Sequence, residues 1–138
     1  MSVELVTQKA IRARLVATQA VTDLVPALSI LDHNQRPAPN PSIIIGETQL
    51  VDEGSSMKRA HSRVYHTLHI WMREPSLEGV KRIGGAIRGA IQWSRINLDA
   101  RYHAADIKVS SIRAVRDRDG ETSHGIVTIE VLVSEDVA

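Results

Sequence analysis

"VRDRDGETSHGIVTIEV", residues 115–131, gathers Asp117, Asp119 and Glu121 around Gly120. As ligands these carboxylates would make a metal loop; as a turn they would join two strands. A calcium loop of the EF-hand kind needs oxygen ligands at alternate positions and a bidentate carboxylate at the twelfth. Counted from Asp117, the twelfth residue is Thr128, and Glu121 cannot replace it without a different geometry. Asp-Gly beside an alternating apolar run is a hairpin signal, and register decides its form. A two-residue turn at Asp119–Gly120 would pair Lys108 with Val131 and Ser110 with Ile129, setting polar side chains against the apolar face of Val127, Ile129, Val131 and Val133. A three-residue loop, Arg118–Asp119–Gly120, pairs Ile107 with Val131 and Val109 with Ile129, and one buried face results. Gly120 then takes the left-handed conformation of a type I turn with a G1 bulge. The knot reads as a turn, with Asp119 and Gly120 as its structural residues.

Outward from the hairpin, the two closing strands run over about 107–116 and 122–133. Before them, "HSRVYHTLHIWMR" (61–73) alternates as a long strand. Val64, His66, Leu68, Ile70 and Met72 share one face; Arg63, Tyr65, Thr67, His69, Trp71 and Arg73 share the other, polar-aromatic one. Between these strands lies a helix with Ser76 as N-cap and an apolar stripe of Leu77, Val80, Ile83, Ile87 and Ile91. Gly84, Gly85 and Gly89 inside it each cost about 1 kcal/mol against alanine; they mark either close approach of another backbone or a loosened helix. The first twenty residues predict a helix with a small-residue stripe of Val6, Ala10, Ala13, Ala17 and Ala20, ended by Asp23 and Pro26. A short strand near 28–33 and an extended connector, "NQRPAPNP", lead into "SIIIGETQLV", a strand covered on both faces. Residues 53–60 read as an exposed loop. The fold class is therefore α+β: a mostly antiparallel sheet of about five strands packed by two helices, in a single domain spanning 1–138.

A chain of 138 residues suits one domain, and its hydrophobic and charged contents, 43% and 24%, are ordinary for a globular protein. Phe is absent and aromatics make up 3%, so the core must be aliphatic. The net charge of +1 exerts no global pull on nucleic acid or membrane. Thirteen Arg stand against four Lys, a bias that suits bidentate pairing at interfaces but also follows from genomic G+C content. With no cysteine there is no disulfide, thiolate site or Cys nucleophile. The start lacks the apolar core of a signal peptide, and the longest aliphatic run, Ile43–Ile45, is far short of a membrane span; a soluble protein assembled inside a cell is expected.

The remaining chemical motifs fail on geometry. His61 and His69 would lie about 26 Å apart on a strand at ~3.3 Å per residue, with His66 on the opposite face, so the three cannot share a zinc ion. Ser110, Ser111 and Ser123 lack a local base and a nucleophile elbow, and His124 beside Ser123 points to the other face of its strand. "GGAIRGAI" has its glycines inside a helical pattern and no Lys-Ser/Thr pair, which excludes a phosphate loop. Arg63, Tyr65, Trp71 and Arg73 are the nearest approach to a nucleic-acid surface; the competing reading is a face packed by the second helix or a neighbouring subunit. No catalytic, cofactor or metal set emerges, and the chain does not read as an enzyme.

The order of elements then becomes informative. A helix followed by "TDLV", a proline-rich connector into "PSIIIGE", "HTLHIWMRE" running into "VKRIGGAIRGAI", and the closing "VRDRDGETSHGIVTIEV" together resemble the small tail completion proteins of long-tailed phages and phage-like particles such as gene transfer agents. The resemblance spans nearly the whole chain. Ile44 departs from the pattern, standing where an aromatic is expected after the proline.

The resemblance implies a tail terminator or head–tail joining protein in the tail or neck of a virion or phage-like particle, assembled in the host cytoplasm. Its partners would be further copies in a ring, usually a hexamer, the tail tube protein and the head–tail connector. DNA would only pass transiently through the lumen, and no membrane is involved. Contacts with the tube, lumen or next subunit are assigned by exposure and charge to Met57, Lys58 and Arg59 on the loop, Arg63, Tyr65 and Trp71 on the long strand, and Arg116, Arg118 and Glu121 at the hairpin. Other readings stay open: another neck component, a small ligand- or nucleic-acid-binding module, and, last, a metal-dependent hydrolase using Asp117, Asp119 and His124.

Overall fold

The sheet built around the hairpin has the order β1-β2-β3-β5-β4. A computed structural model describes residues 2–54 and 56–136. Helices α1 (Val3–Ala17) and α2 (Gln19–Thr22) come first, then strands β1 (Ile30–Leu31), β2 (Ser42–Asp52) and β3 (His61–Arg73). Helix α3 (Glu78–Gln92) precedes β4 (Tyr102–Arg116) and β5 (Thr122–Glu135). All neighbours pair antiparallel except β1 and β2, which run parallel. The α+β class expected from the sequence is what the chain adopts.

The helices cover one face. Ile11 and Leu15 of α1 and Ile83, Ile87 and Ile91 of α3 share a buried cluster with Val64, Leu68 and Ile70 of β3 and Val127, Ile129, Val131 and Val133 of β5. Burial alternates residue by residue along β3 and β5, the period of two that a one-sided sheet imposes. The opposite parity, including Arg63, Tyr65, Trp71 and His124, forms an open face.

The buried face of α1 differs from the alanine stripe expected. Val3, Thr7, Ile11 and Leu15, four residues apart, are buried together with Val6 of the expected stripe; Ala10 is partly buried against the core, while Ala13, Ala17 and Ala20 are exposed. The two stripes lie about one residue apart around the helix, and branched aliphatic side chains remove far more apolar area from water than methyl groups do. Ser2 is the N-cap, its Oγ accepting from Leu5 N at 3.1 Å.

Capping of α3 also departs from expectation. Leu77 occupies the N-cap position, and Ser76 Oγ accepts only from Glu78 N. Glu74 does most of the capping: its carboxylate accepts from Gly79 N at 2.7 Å and Val80 N at 3.1 Å, satisfying two of the helix's orphan donors. Its apolar stripe is as read. Of its glycines, Gly84 lies against a side chain, Ile112, whereas Gly85 and Gly89 face open space.

At the hairpin, Ile107 pairs with Val131 and Val109 with Ile129, as expected, but by a different route. The loop is one residue longer than the three-residue form: Asp117 N donates to Thr122 O at 2.8 Å, enclosing Arg118–Glu121. A bulge between Val109 and Ser111 then restores the register below it. Gly120 has the expected positive φ, 73°.

Candidate functional site

The residues singled out from the sequence fall at two poles of the sheet. β3 joins them, and its thirteen residues span about 40 Å at ~3.3 Å per residue. One surface therefore cannot contain both the β2–β3 loop and the hairpin tip.

At the hairpin pole most polar groups are satisfied within the chain. Asp119 accepts from Glu121 N, Thr122 N and Thr122 Oγ1 at 2.6–2.9 Å, and these bonds hold its carboxyl below its ordinary range. Arg116 donates to the carbonyls of Glu74 and Pro75, bracing the β3–α3 junction rather than presenting a free guanidinium. Arg118 and Glu121 remain exposed. Ser123, fully buried, donates to Glu74 and to Met72 O and so serves as structure.

The β2–β3 pole is different. The Ser56–Arg59 turn, closed by Arg59 N to Ser56 O, projects Met57 with 99% of its surface exposed. Arg59 pairs with Asp52, and the Lys58 ammonium has no ion-pair partner among the described residues. Arg63 is held on the open face between Glu53 (2.7 Å) and Glu130 (3.4 Å), a pairing internal to the chain.

Between the poles the fold assembles a cluster that sequence reading missed. Trp71 lies directly across from His124, and their rings stack at 3.8 Å and 8°. His124 Nε2 is 2.8 Å from His69 Nδ1, and His69 Nε2 is 2.6 Å from Glu47. Because a carboxylate only accepts, His69 Nε2 carries a proton; in that tautomer Nδ1 accepts from His124 Nε2–H. Donation from His69 holds the Glu47 carboxyl below its ordinary range, and burial, followed by the nearby His69, lowers His124. A bulge in β2 aims Glu47 here: Gly46 and Glu47 together face Thr67. A Cβ at Gly46 would come within 2.8 Å of the His69 ring, so any larger residue would have to displace that ring. The chance of seeing this from sequence lay in pairing "HTLHIW" with "SHGIV", which needs the β3–β5 register.

The cluster forms one wall of a cavity of about 460 Å³. Buried Ile44 lines it, and exposed Asp32, His33, Asn34 and Glu47 form its rim. A second depression of about 210 Å³ lies on the other side of Trp71, against Pro37–Asn40. His66 belongs to neither. It is fully buried on the inner face, between Thr7 at 2.6 Å and Thr48 at 3.1 Å, and burial lowers it to about 4. Among the described residues no three His, Cys, Asp or Glu side chains are arranged to hold a metal ion, and no helix is long and apolar enough to cross a membrane. What the open face offers is an aromatic, acid-rimmed surface for contact.

The chain is similar to known proteins along nearly its whole length. Residues 9–134 match the family described as tail completion protein gp17. A chain from the virion of a native gene transfer agent particle shares the fold with a TM-score of 0.81, covering 96% of this chain and 98% of that one at 14% identity. The gp17 protein of bacteriophage SPP1 gives a TM-score of 0.64 at 18% identity, covering 98% and 94%. No curated protein matches the sequence.

Proposed function

Because the chain belongs to the tail completion protein gp17 family, and is thus a structural component of a phage-type particle, we propose that it forms a ring, hexameric in number, at the head-proximal end of the tail tube. There it stops tube polymerisation and docks the tail to the head connector. The family match across residues 9–134 carries this reading. The open sheet face and the outward β2–β3 turn support it, because a subunit with distinct, separated contact surfaces makes head-to-tail contacts that close by rotation. The protein acts without catalysis, and DNA crosses the lumen without sequence-specific contact.

Deletion of the gene is the test. The expected result is particles with tails of irregular length and heads without tails, seen by electron microscopy. Tails of normal length that fail to join heads would replace tube termination with a joining role alone.

A further inference from the structure

The apolar cavity beside Trp71 and the Met57 turn lie at opposite ends of β2. From Ile45 to Asp52 the strand rises about 23 Å at ~3.3 Å per residue, and Met57 stands beyond that. A subunit cannot fill its own cavity with its own turn. Charge pairs the two regions: Asp32 and Glu47 on the rim are carboxylates, both held ionised by histidine hydrogen bonds. The turn carries Lys58, without an ion-pair partner among the described residues, beside the 99%-exposed Met57. Other exposed apolar side chains match less well. Trp93 already has the Arg88 guanidinium 5.4 Å above its ring, and Leu28 has no basic neighbour in sequence.

We propose that in the assembled ring the Ser56–Arg59 turn of one copy inserts Met57 into the cavity beside Trp71 of the next copy, with Lys58 meeting Asp32 and Glu47 on its rim. A thioether suits an aromatic wall, since sulfur makes favourable contacts with ring edges. An apolar anchor seated in a pocket and ringed by polar contacts is the usual core of a specific interface. The contact is heterologous, so it propagates from copy to copy and closes when the rotation permits. It deepens the ring reading and rests on it.

The natural chain has no cysteine, so cross-linking is clean. One preparation carries Met57→Cys and another Asn34→Cys, and the two are mixed with a short bis-maleimide. The expected result is a cross-linked dimer in the mixture well above that in either preparation alone. Equal yields in all three would be random collision and would overturn the contact. Absence of cross-links at concentrations where the unmodified protein is oligomeric by light scattering would overturn the contact and leave the ring standing. With the unmodified protein monomeric throughout, absence of cross-links sinks the contact just as surely, because a tether captures transient pairs; the gene deletion then judges the ring. Adding Lys58→Glu to the Met57→Cys chain should lower the yield roughly tenfold. Placing Asp32→Lys on the Asn34→Cys chain should restore it; failure to restore would remove the electrostatic half of the proposal.

Discussion

The two poles of β3 use similar material to opposite ends. At the hairpin, Asp119, Arg116 and Glu74 turn their polar atoms inward upon the chain's own backbone. At the β2–β3 turn, Met57 and Lys58 are turned outward, and besides Gly54, φ 72°, a left-handed position falls on Arg59, φ 56°, where the hairpin uses Gly120, φ 73°. Asp119, at the centre of the acidic knot that looks most like a site in the sequence, is thus satisfied by the chain itself, while the bland loop presents Met57 and Lys58 outward. An acidic residue in a turn is no sign of a site when its carboxylate only ties down the chain's own backbone, as that of Asp119 does.

The largest expected effect lies between the poles and asks whether the sheet's inner face, rather than either end, sets stability. His66 is tied to α1 through Thr7 and to β2 through Thr48. Thr7 Oγ1 also lies 3.0 Å from the Val3 and Glu4 carbonyls, so its proton goes to the helix and His66 Nε2–H donates to it. Folded His66 resists protonation until about pH 4, whereas the unfolded imidazole takes a proton near its ordinary value of about 6.5. Unfolding therefore binds a proton in that window, and stability falls as pH is lowered through it, by about 3 kcal/mol in all. His124, also depressed by burial, adds in the same direction. Urea titrations at neutral pH and near pH 4.5 should show the loss, and His66→Gln should flatten most of it. An unchanged acid limb in that variant would assign the loss to other groups.

Next comes Glu74, which anchors the hairpin pole. Burial would raise its carboxyl, but hydrogen bonds from Ser123, Gly79 N, Val80 N and Ser76 outweigh it and hold it below the ordinary range. Glu74→Ala strips the α3 cap and leaves Ser123 without one of its partners, for a loss of about 2–3 kcal/mol. Because the folded group is depressed, its contribution is complete above the ordinary carboxylate range and disappears as pH falls below it. Met57→Ala at the other pole should stay within about 0.5 kcal/mol. Comparable losses at both would dissolve the contrast between a stitched end and an open one.

How much of this was legible follows from what periodicity reports. It reports faces, so the buried set on β3 and β5, the stripe of α3 and the pairing of Ile107 with Val131 could all be read. It cannot count loop residues where a bulge compensates. The Asp119 side chain, by accepting from both Glu121 N and Thr122 N, draws a fourth residue into the loop, and the bulge near Ser110 hides the change from the register below. The alanine stripe of α1 misled because spacing carries no measure of area. The Trp71–His124–His69 cluster depends on residues about fifty positions apart in the chain meeting at one register, and on a bulge that aims Glu47. Non-local pairing of that kind leaves no trace in any local window. Rejecting a shared zinc site for His61, His66 and His69 needed only strand parity and strand rise, and the structure keeps His66 on the face opposite His69.

The smallest effect sharpens the comparison most, because it predicts opposite signs for two residues in the same conformation. Gly120 at φ 73° lies where a side chain is strained, with nothing within 4 Å of an added Cβ. Gly120→Ala should therefore cost about 1 kcal/mol from the backbone alone. Arg59, at φ 56°, already bears that strain. Arg59→Gly should relieve it, offset by the exposed ion pair to Asp52 and by the greater freedom of glycine in the unfolded chain, for a net gain of about 0.5 kcal/mol. Chemical denaturation of the two variants side by side checks the pair of signs. If Arg59→Gly stabilises the subunit yet lowers the cross-link yield of the Met57→Cys and Asn34→Cys mixture, the strain is retained to present the turn to a neighbour. If it stabilises and leaves the yield unchanged, the left-handed arginine is incidental to assembly.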